Sequence, residues 1–259
     1  MTLPKSPSFR LDGRPVLVTG ASSGIGEGCA VALGEMGAHV TIVARGQEKL
    51  DALAEAMRSE GHQVSTVALD ISDVSAVQAL CAEQAASEQG PFRAVVNSAG
   101  LARHTPSLDT SIGDFDAVMN LNVRAAYFLM QSAAQCLIDK NLSGSLINIS
   151  SQMGHVGGID RAVYCASKHA VEGFTKAMAI EWGKHQVRIN SICPTFIKTP
   201  LTASTFAQPD KVAWIKSKIH LGRLGEVEDI MGAVQYLASD ASALVTGTSM
   251  LIDGGWTAE

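Results

Sequence analysis

Short apolar runs alternate with stretches of helical spacing along almost the whole chain. The runs at 15–19, 40–43, 64–69, 92–96, 145–149, 187–192 and 249–252 predict strands, and their apolar residues fall on both parities, as in parallel strands covered on two faces. The stretches at 24–36, 47–59, 73–87, 115–137, 163–182 and 226–238 place apolar residues three and four apart and predict helices. This alternation predicts right-handed β-α-β units in an α/β architecture: a doubly wound parallel sheet with helices on both faces, three layers in one domain over 1–259. The exception is 195–225, where periodicity is weak. It follows the sixth strand, on the carboxyl side of the sheet where open α/β folds bind ligands, and predicts a mobile substrate lid.

Composition narrows the picture. With 46% hydrophobic and 17% charged residues, the chain has a globular rather than a disordered make-up. The net charge is −5 and Lys and Arg form no block, which argues against a nucleic-acid partner. Residues 1–10 are polar, and no run reaches the ~18 apolar residues that cross a bilayer, so neither a signal peptide nor a membrane is expected. Five widely spaced cysteines, Cys29, Cys81, Cys136, Cys165 and Cys193, predict free thiols in a reducing compartment, hence a cytoplasmic location. The seven histidines show no metal-binding spacing, so no metal is expected.

Two segments carry chemistry. Gly20, Ser22, Ser23, Gly24, Ile25 and Gly26 follow the first strand and open the first helix. Glycines there let backbone approach a pyrophosphate at the positive end of a helix. At the end of the second strand an acidic residue would hold a ribose 2′-hydroxyl, whereas Arg45 offers a fork to a 2′-phosphate. NADP(H) is therefore expected over NAD(H). Tyr164 and Lys168 stand one helical turn apart, so the ammonium can stabilise the phenolate and lower its pKa. Ser151, at the end of the fifth strand, can hold a reacting oxygen beside Tyr164, with Ser150 as its neighbouring alternative. An inward amide at Asn122 could fix a water that connects to Lys168.

Together with Asn97-Ser98-Ala99-Gly100, Val245-Thr246-Gly247 and Asp253-Gly254-Gly255, these motifs resemble the short-chain dehydrogenase/reductase superfamily from Gly13 to Trp256, in the manner of bacterial 3-oxoacyl reductases and sugar-alcohol dehydrogenases. The resemblance implies a Rossmann domain with a seven-stranded parallel sheet and a tetrad of Asn122, Ser151, Tyr164 and Lys168. In it, Tyr164 is general acid in reduction and general base in oxidation. Ser151 polarises the carbonyl, Lys168 lowers the Tyr164 pKa and binds the nicotinamide ribose, and Asn122 holds a relay water. It also implies that Asp70 and Ile71 lie beside the adenine. Asn97, Ala99 and Gly100 would line the cofactor, and Pro194, Ile197 and Thr199 would form the segment at the carboxamide and phosphate. A homo-oligomer, tetramer or dimer, is implied through the two long helices and the last strand. Two positions depart from the family pattern. Ser98 replaces a second Asn, and Thr195 replaces a Gly, which narrows the space beside the nicotinamide.

His104, Met153, His155, Arg161 and Thr195 border the expected pocket and are candidates to contact a polar or acidic substrate. The expected activity is hydride transfer between NADP(H) and a small alcohol or ketone. Three substrate classes compete: 3-oxoacyl thioesters, sugars or polyols, and small cyclic or xenobiotic ketones. The alternatives are an NAD(H)-dependent sugar or polyol dehydrogenase and a non-catalytic NADPH-sensing regulator.

Overall fold

The computed structural model describes residues 2–258. Its strands are β1 (Pro15–Thr19), β2 (His39–Ala44), β3 (Gln63–Ala68), β4 (Ala94–Asn97), β5 (Gly144–Ile149), β6 (Val187–Pro194) and β7 (Ser249–Ile252). They form one parallel sheet in the order β3-β2-β1-β4-β5-β6-β7. The order reverses between β1 and β4, and in open parallel sheets that switch point opens a crevice at the carboxyl ends of the strands. The helices are α1 (Gly24–Glu35), α2 (Gln47–Ser59), α3 (Val74–Ala86), α4 (Ile112–Met119), α5 (Ala126–Asp139), α6 (Ala162–Trp182), α7 (Ala203–Phe206), α8 (Pro209–Lys218) and α9 (Glu228–Ala238).

The two-residue period of the strands explains their doubly apolar pattern. Val16, Val18 and Val96 pack with Leu33 of α1 and Val234 and Leu237 of α9. Leu17 and Val95 pack on the other face, with Val77 of α3, Leu129 and Met130 of α5, and Met178 of α6. Each strand thus feeds two cores, and the three-layer arrangement follows. No helix of the described residues is long and apolar enough to cross a membrane. All five cysteines are free.

Two expectations change. The helix read over 115–137 begins at Ile112 and contains a π-helical turn, Asn120–Ala125, between α4 and α5. Ser111 starts it: its hydroxyl accepts from the Asp114 amide at 3.0 Å and donates to the Asp114 carboxylate at 3.0 Å. The stretch read as an aperiodic lid over 195–225 carries α7 and α8 around a small core of its own, Ile215, Ile219 and Leu224 against Phe206 and Trp256. Its periodicity is weak because both helices are short. A parallel bridge joins the two stems: the Gly225 amide donates to Phe196 O at 3.0 Å, and the Lys198 amide donates to Gly225 O at 2.9 Å.

The glycine loop is shaped by its neighbours. Gly20 has φ +65, and a Cβ there would lie 2.7 Å from the Ala99 amide nitrogen, so the end of β1 can pass the turn after β4 only without a side chain. A Cβ on Gly26 would lie 2.2 Å from the carbonyl oxygen of Gly20. Backbone stands on both sides of that contact, and no rotamer relieves it. Gly26→Ala is expected to destabilise the protein by about 3 kcal/mol, the upper range for overpacking, read as a fall in the urea midpoint at unchanged slope; an unchanged midpoint would show that α1 moves off β1 freely.

Candidate active site

Helix α6 crosses the carboxyl end of β5, and a buried lysine fastens the two. Lys168 is 6% exposed, and its ammonium donates to Ile149 O, the last carbonyl of β5, at 2.9 Å. One turn earlier on α6 stands Tyr164, with Lys168 Nζ 5.7 Å from the centre of its ring. Ser151 follows β5 and caps a short 3-10 turn, Gln152–Gly154, its Oγ accepting from the Met153 amide at 3.1 Å. That turn sits hard against α6: a Cβ on Gly154 would lie 2.9 Å from Glu172 Cγ and 3.1 Å from Lys168 O. The close approach sets Ser151 and Tyr164 on the wall of one cleft, where the serine hydroxyl acts on the phenol. Ser150, the alternative, is buried and does not line the cleft.

The electrostatics differ from the expectation that Lys168 sets the tyrosine. Burial pushes the Tyr164 phenol above its ordinary value, while the Ser151 hydroxyl and then the charge of Arg161 pull it back. Lys168 itself is lowered to about 8 by burial, opposed by Cys193 and Glu172. Burial holds the Cys193 thiol at about 12, so it is neutral near pH 7 and Glu172 is the effective opposing charge. Glu172 lies one turn beyond Lys168 and is 4% exposed. Its carboxylate accepts from Ser191 Oγ at 2.7 Å, from Ser249 Oγ and from Cys193 Sγ at 3.5 Å, and His155 Nε2 stands 3.7 Å away.

The other predicted residues divide. Asn122 occupies the π-helical turn, but its amide is committed: Oδ1 accepts from the Leu101 amide at 2.8 Å, and Nδ2 donates to Leu101 O at 2.8 Å and Ser167 Oγ at 3.1 Å. The side chain ties the turn after β4 to α6, with both Nδ2 hydrogens used and one lone pair of Oδ1 left over. Asn97 accepts from Thr19 Oγ1 at 2.7 Å and links β4 to β1. Ile71 and Ile197 are core residues, 5% and 2% exposed. Ala99 packs on Gly20, and a Cβ at Gly100 would lie 3.9 Å from Lys168 Nζ. Gly24 backs onto Thr199 from the lid stem. Ser22, Ser23 and Ile25 are partly exposed along the loop, and Ser23 precedes α1 without a side-chain cap. Arg45 is exposed at the end of β2, near Asp70, whose carboxyl is held low chiefly by Ser72 and least by Arg45. Pro194 ends β6.

The open cleft beside Ser151 and Tyr164 is walled by Met153, His104, Arg161 and Thr195. His155 does not line it and turns to Glu172 instead. Gln152, Phe196, Leu201, Thr202 and Thr205 line the cleft and escaped the sequence reading. Gln152 carried a signal, being next to Ser151. Glu172 carried one too, being four residues past Lys168 on the same helical face. The four lid residues carried none.

A doubly wound sheet with a glycine loop at its switch point and a Ser-Tyr-Lys cluster beside a cleft defines a nucleotide-dependent oxidoreductase. The chain belongs to the short-chain dehydrogenase/reductase family, and a family model described as Enoyl-(Acyl carrier protein) reductase matches residues 20–257. It is an oxidoreductase acting on CH–OH groups with NAD(P). It is 37% identical over 250 residues to L-xylulose reductase of Bos taurus, covering 96% of this chain and 99% of that protein. It is 36% identical over 251 residues to 2-dehydro-3-deoxy-D-gluconate 5-dehydrogenase of Dickeya dadantii, covering 97% and 98%. The crystal structure of a gluconate 5-dehydrogenase from Burkholderia cenocepacia, in complex with NADP and tartrate, superposes with a TM-score of 0.92 at 33% identity, covering 97% and 98%.

The placement of Glu172 has a measurable consequence. Lys168 loses its proton as pH rises through about 8, so reductive turnover is expected to fall above that pH. Glu172→Gln removes the charge that holds the proton on, and the falling limb of the kcat profile moves to lower pH. An unmoved limb would show that Glu172 does not act on Lys168.

Proposed function

We propose that this chain is an NADP(H)-dependent oxidoreductase that interconverts the ketone and alcohol forms of a short polyhydroxy substrate, in one domain whose 195–225 segment covers the cleft. The observation that carries it is that Ser151 and Tyr164 share one cleft wall, with Lys168 buried 5.7 Å from the centre of the phenol ring. The residues present fit a dinucleotide. Gly20 and Gly26 leave no room for a Cβ, and the first amides of α1 lack a side-chain cap and face the switch point. Arg45, with no acidic residue in its place, suits a 2′-phosphate and favours NADP(H).

Bound there, the nicotinamide coenzyme supplies or accepts the hydride. Ser151 donates to the substrate oxygen and orients it. In reduction Tyr164 gives its proton to that oxygen, a transfer suited to a phenol kept protonated by burial. The phenolate left behind is stabilised by Ser151, Arg161 and Lys168, and it regains a proton from solvent. Oxidation runs the same path in reverse. Asn122 acts as a positioning residue, holding the Leu101 turn against α6. Polar groups on the cleft wall, Gln152, Thr195 and Arg161, suit a sugar or polyol better than an acyl chain or an apolar ketone. The relatives named above agree in acting on sugars, although one name denotes a neutral ketose and the others sugar acids. Exposed apolar residues on the elements implied in assembly, Phe115 of α4, Tyr127 of α5, Ile180 of α6 and Leu251 of β7, support a homo-oligomer.

Tyr164→Phe is expected to lower kcat by about 1,000-fold, within the range for loss of a general acid, with NADPH affinity in fluorescence titration little changed. Full activity in the variant would remove Tyr164 from the reaction. NADPH binding by the wild type without turnover of any polyol or ketose would favour a sensor instead. Arg45→Ala is expected to weaken NADPH by about 10-fold or more, the scale of a charge-assisted phosphate contact, and to leave NADH nearly unaffected. Equal losses for both would show that Arg45 does not read the 2′-phosphate.

A further inference from the structure

We infer that the cleft selects a polyhydroxy acid, with Arg161 taking the carboxylate and Gln152 and Thr195 taking chain hydroxyls. This rests on the reading above, in which Ser151 and Tyr164 hold the reacting carbon.

Arg161 stands at the N-terminus of α6, where a cation opposes the helix dipole. Its side chain does not cap the helix, and the first turn of α6 contains no acidic residue. The guanidinium turns into the cleft instead. There it meets His104 Nε2 at 2.6 Å and lies 5.2 Å from the centre of the Phe196 ring. Neither neutralises it, since burial and the charges of Arg161 and Lys211 hold His104 at about 4, an uncharged imidazole near pH 7. Among the described residues no carboxylate forms an ion pair with Arg161, and Asp160 exerts only a Coulombic pull. A partly buried cation against a helix dipole, with donors to spare, calls for an anion.

A second observation is independent of charge. Gln152 is 1% exposed, and both polar atoms of its amide lack a hydrogen-bond partner among the described residues. The hydroxyl of Thr195 is likewise buried and unpaired. Buried polar atoms are ordinarily satisfied, and both of these residues line the same cleft as Arg161. Gln152 offers a donor and an acceptor and Thr195 can act as either, which matches vicinal hydroxyls. Thr195 stands where the family has glycine, so its hydroxyl adds a group to this cleft that glycine would not supply.

The test compares threonate, xylonate and gluconate with threitol, xylitol and glucitol, each pair differing at one terminal carbon. With NADP+, the best acid is expected to exceed its matching alditol by about 100-fold in kcat/KM, the scale of one buried charge-assisted pair. Arg161→Gln is expected to bring that ratio near one, chiefly through KM, and Arg161→Lys to restore part of it. Thermal melting checks that both variants fold. Calorimetric titration of the same acids and alditols into the NADP+-bound protein gives a readout without turnover. Acid-selective binding lost in Arg161→Gln, with no turnover of any compound, would keep the carboxylate site and overturn the catalytic reading. Turnover with no preference for acids, or a preference that survives Arg161→Gln, would overturn the inference and leave the oxidoreductase standing. No acid-selective binding at all would overturn it as well.

Discussion

A single hydrogen bond, from the buried ammonium of Lys168 to the terminal carbonyl of β5, anchors the arrangement on which the site depends. An ammonium inside a protein is costly unless it is hydrogen-bonded and faces a counter-charge. Here the Ile149 carbonyl meets the first requirement and Glu172 the second, one turn further along the same helix. Satisfying Lys168 therefore fixes α6 over the end of β5. Tyr164 rides on α6 and Ser151 on the end of β5, so their meeting follows from where the lysine must go.

Around this anchor the polar interior forms a chain of supports. Glu172 is itself held by hydroxyls from β6 and β7, which carries the constraint across the sheet to its last strand. On the other side Ser167, next to Lys168, takes the Asn122 amide, and Asn122 grips the backbone of Leu101. The π-helical turn at Asn120–Ala125 is a local departure from α-helix at the residue that must reach two backbone atoms of a neighbouring loop, a frequent use of such turns at functional sites. The crevice at the switch point on one flank and the cleft beside Ser151 and Tyr164 on the other share these same supports.

The cleft is less settled than the site behind it. Its wall keeps unpaired polar atoms at Gln152 and Thr195 and, at Arg161, a guanidinium that meets no carboxylate in an ion pair among the described residues. Buried donors and acceptors without partners are costly to a folded chain. Their cost is borne at the place in the fold where a bound molecule could complete them.

Periodicity alone determined the layer order and parallel sheet, because burying both faces of a strand requires apolar residues on both parities. Spacing along α6 determined that Tyr164 and Lys168 share a face, and the position of the glycines determined the tight turn between β1 and α1. Those are local relations, and a sequence carries them directly. Tertiary structure decided the rest. Asn97, Ile71 and Ile197 found their packing and hydrogen-bond partners, Thr19 and the two cores, far away in the chain. His155 turned to Glu172, and Gln152 entered the cleft, because Gly154 lets their turn press against α6. Even the direction of the Tyr164 pKa was set by burial among distant segments, since the free energy of a charge depends on everything packed around it rather than on its neighbour one turn away.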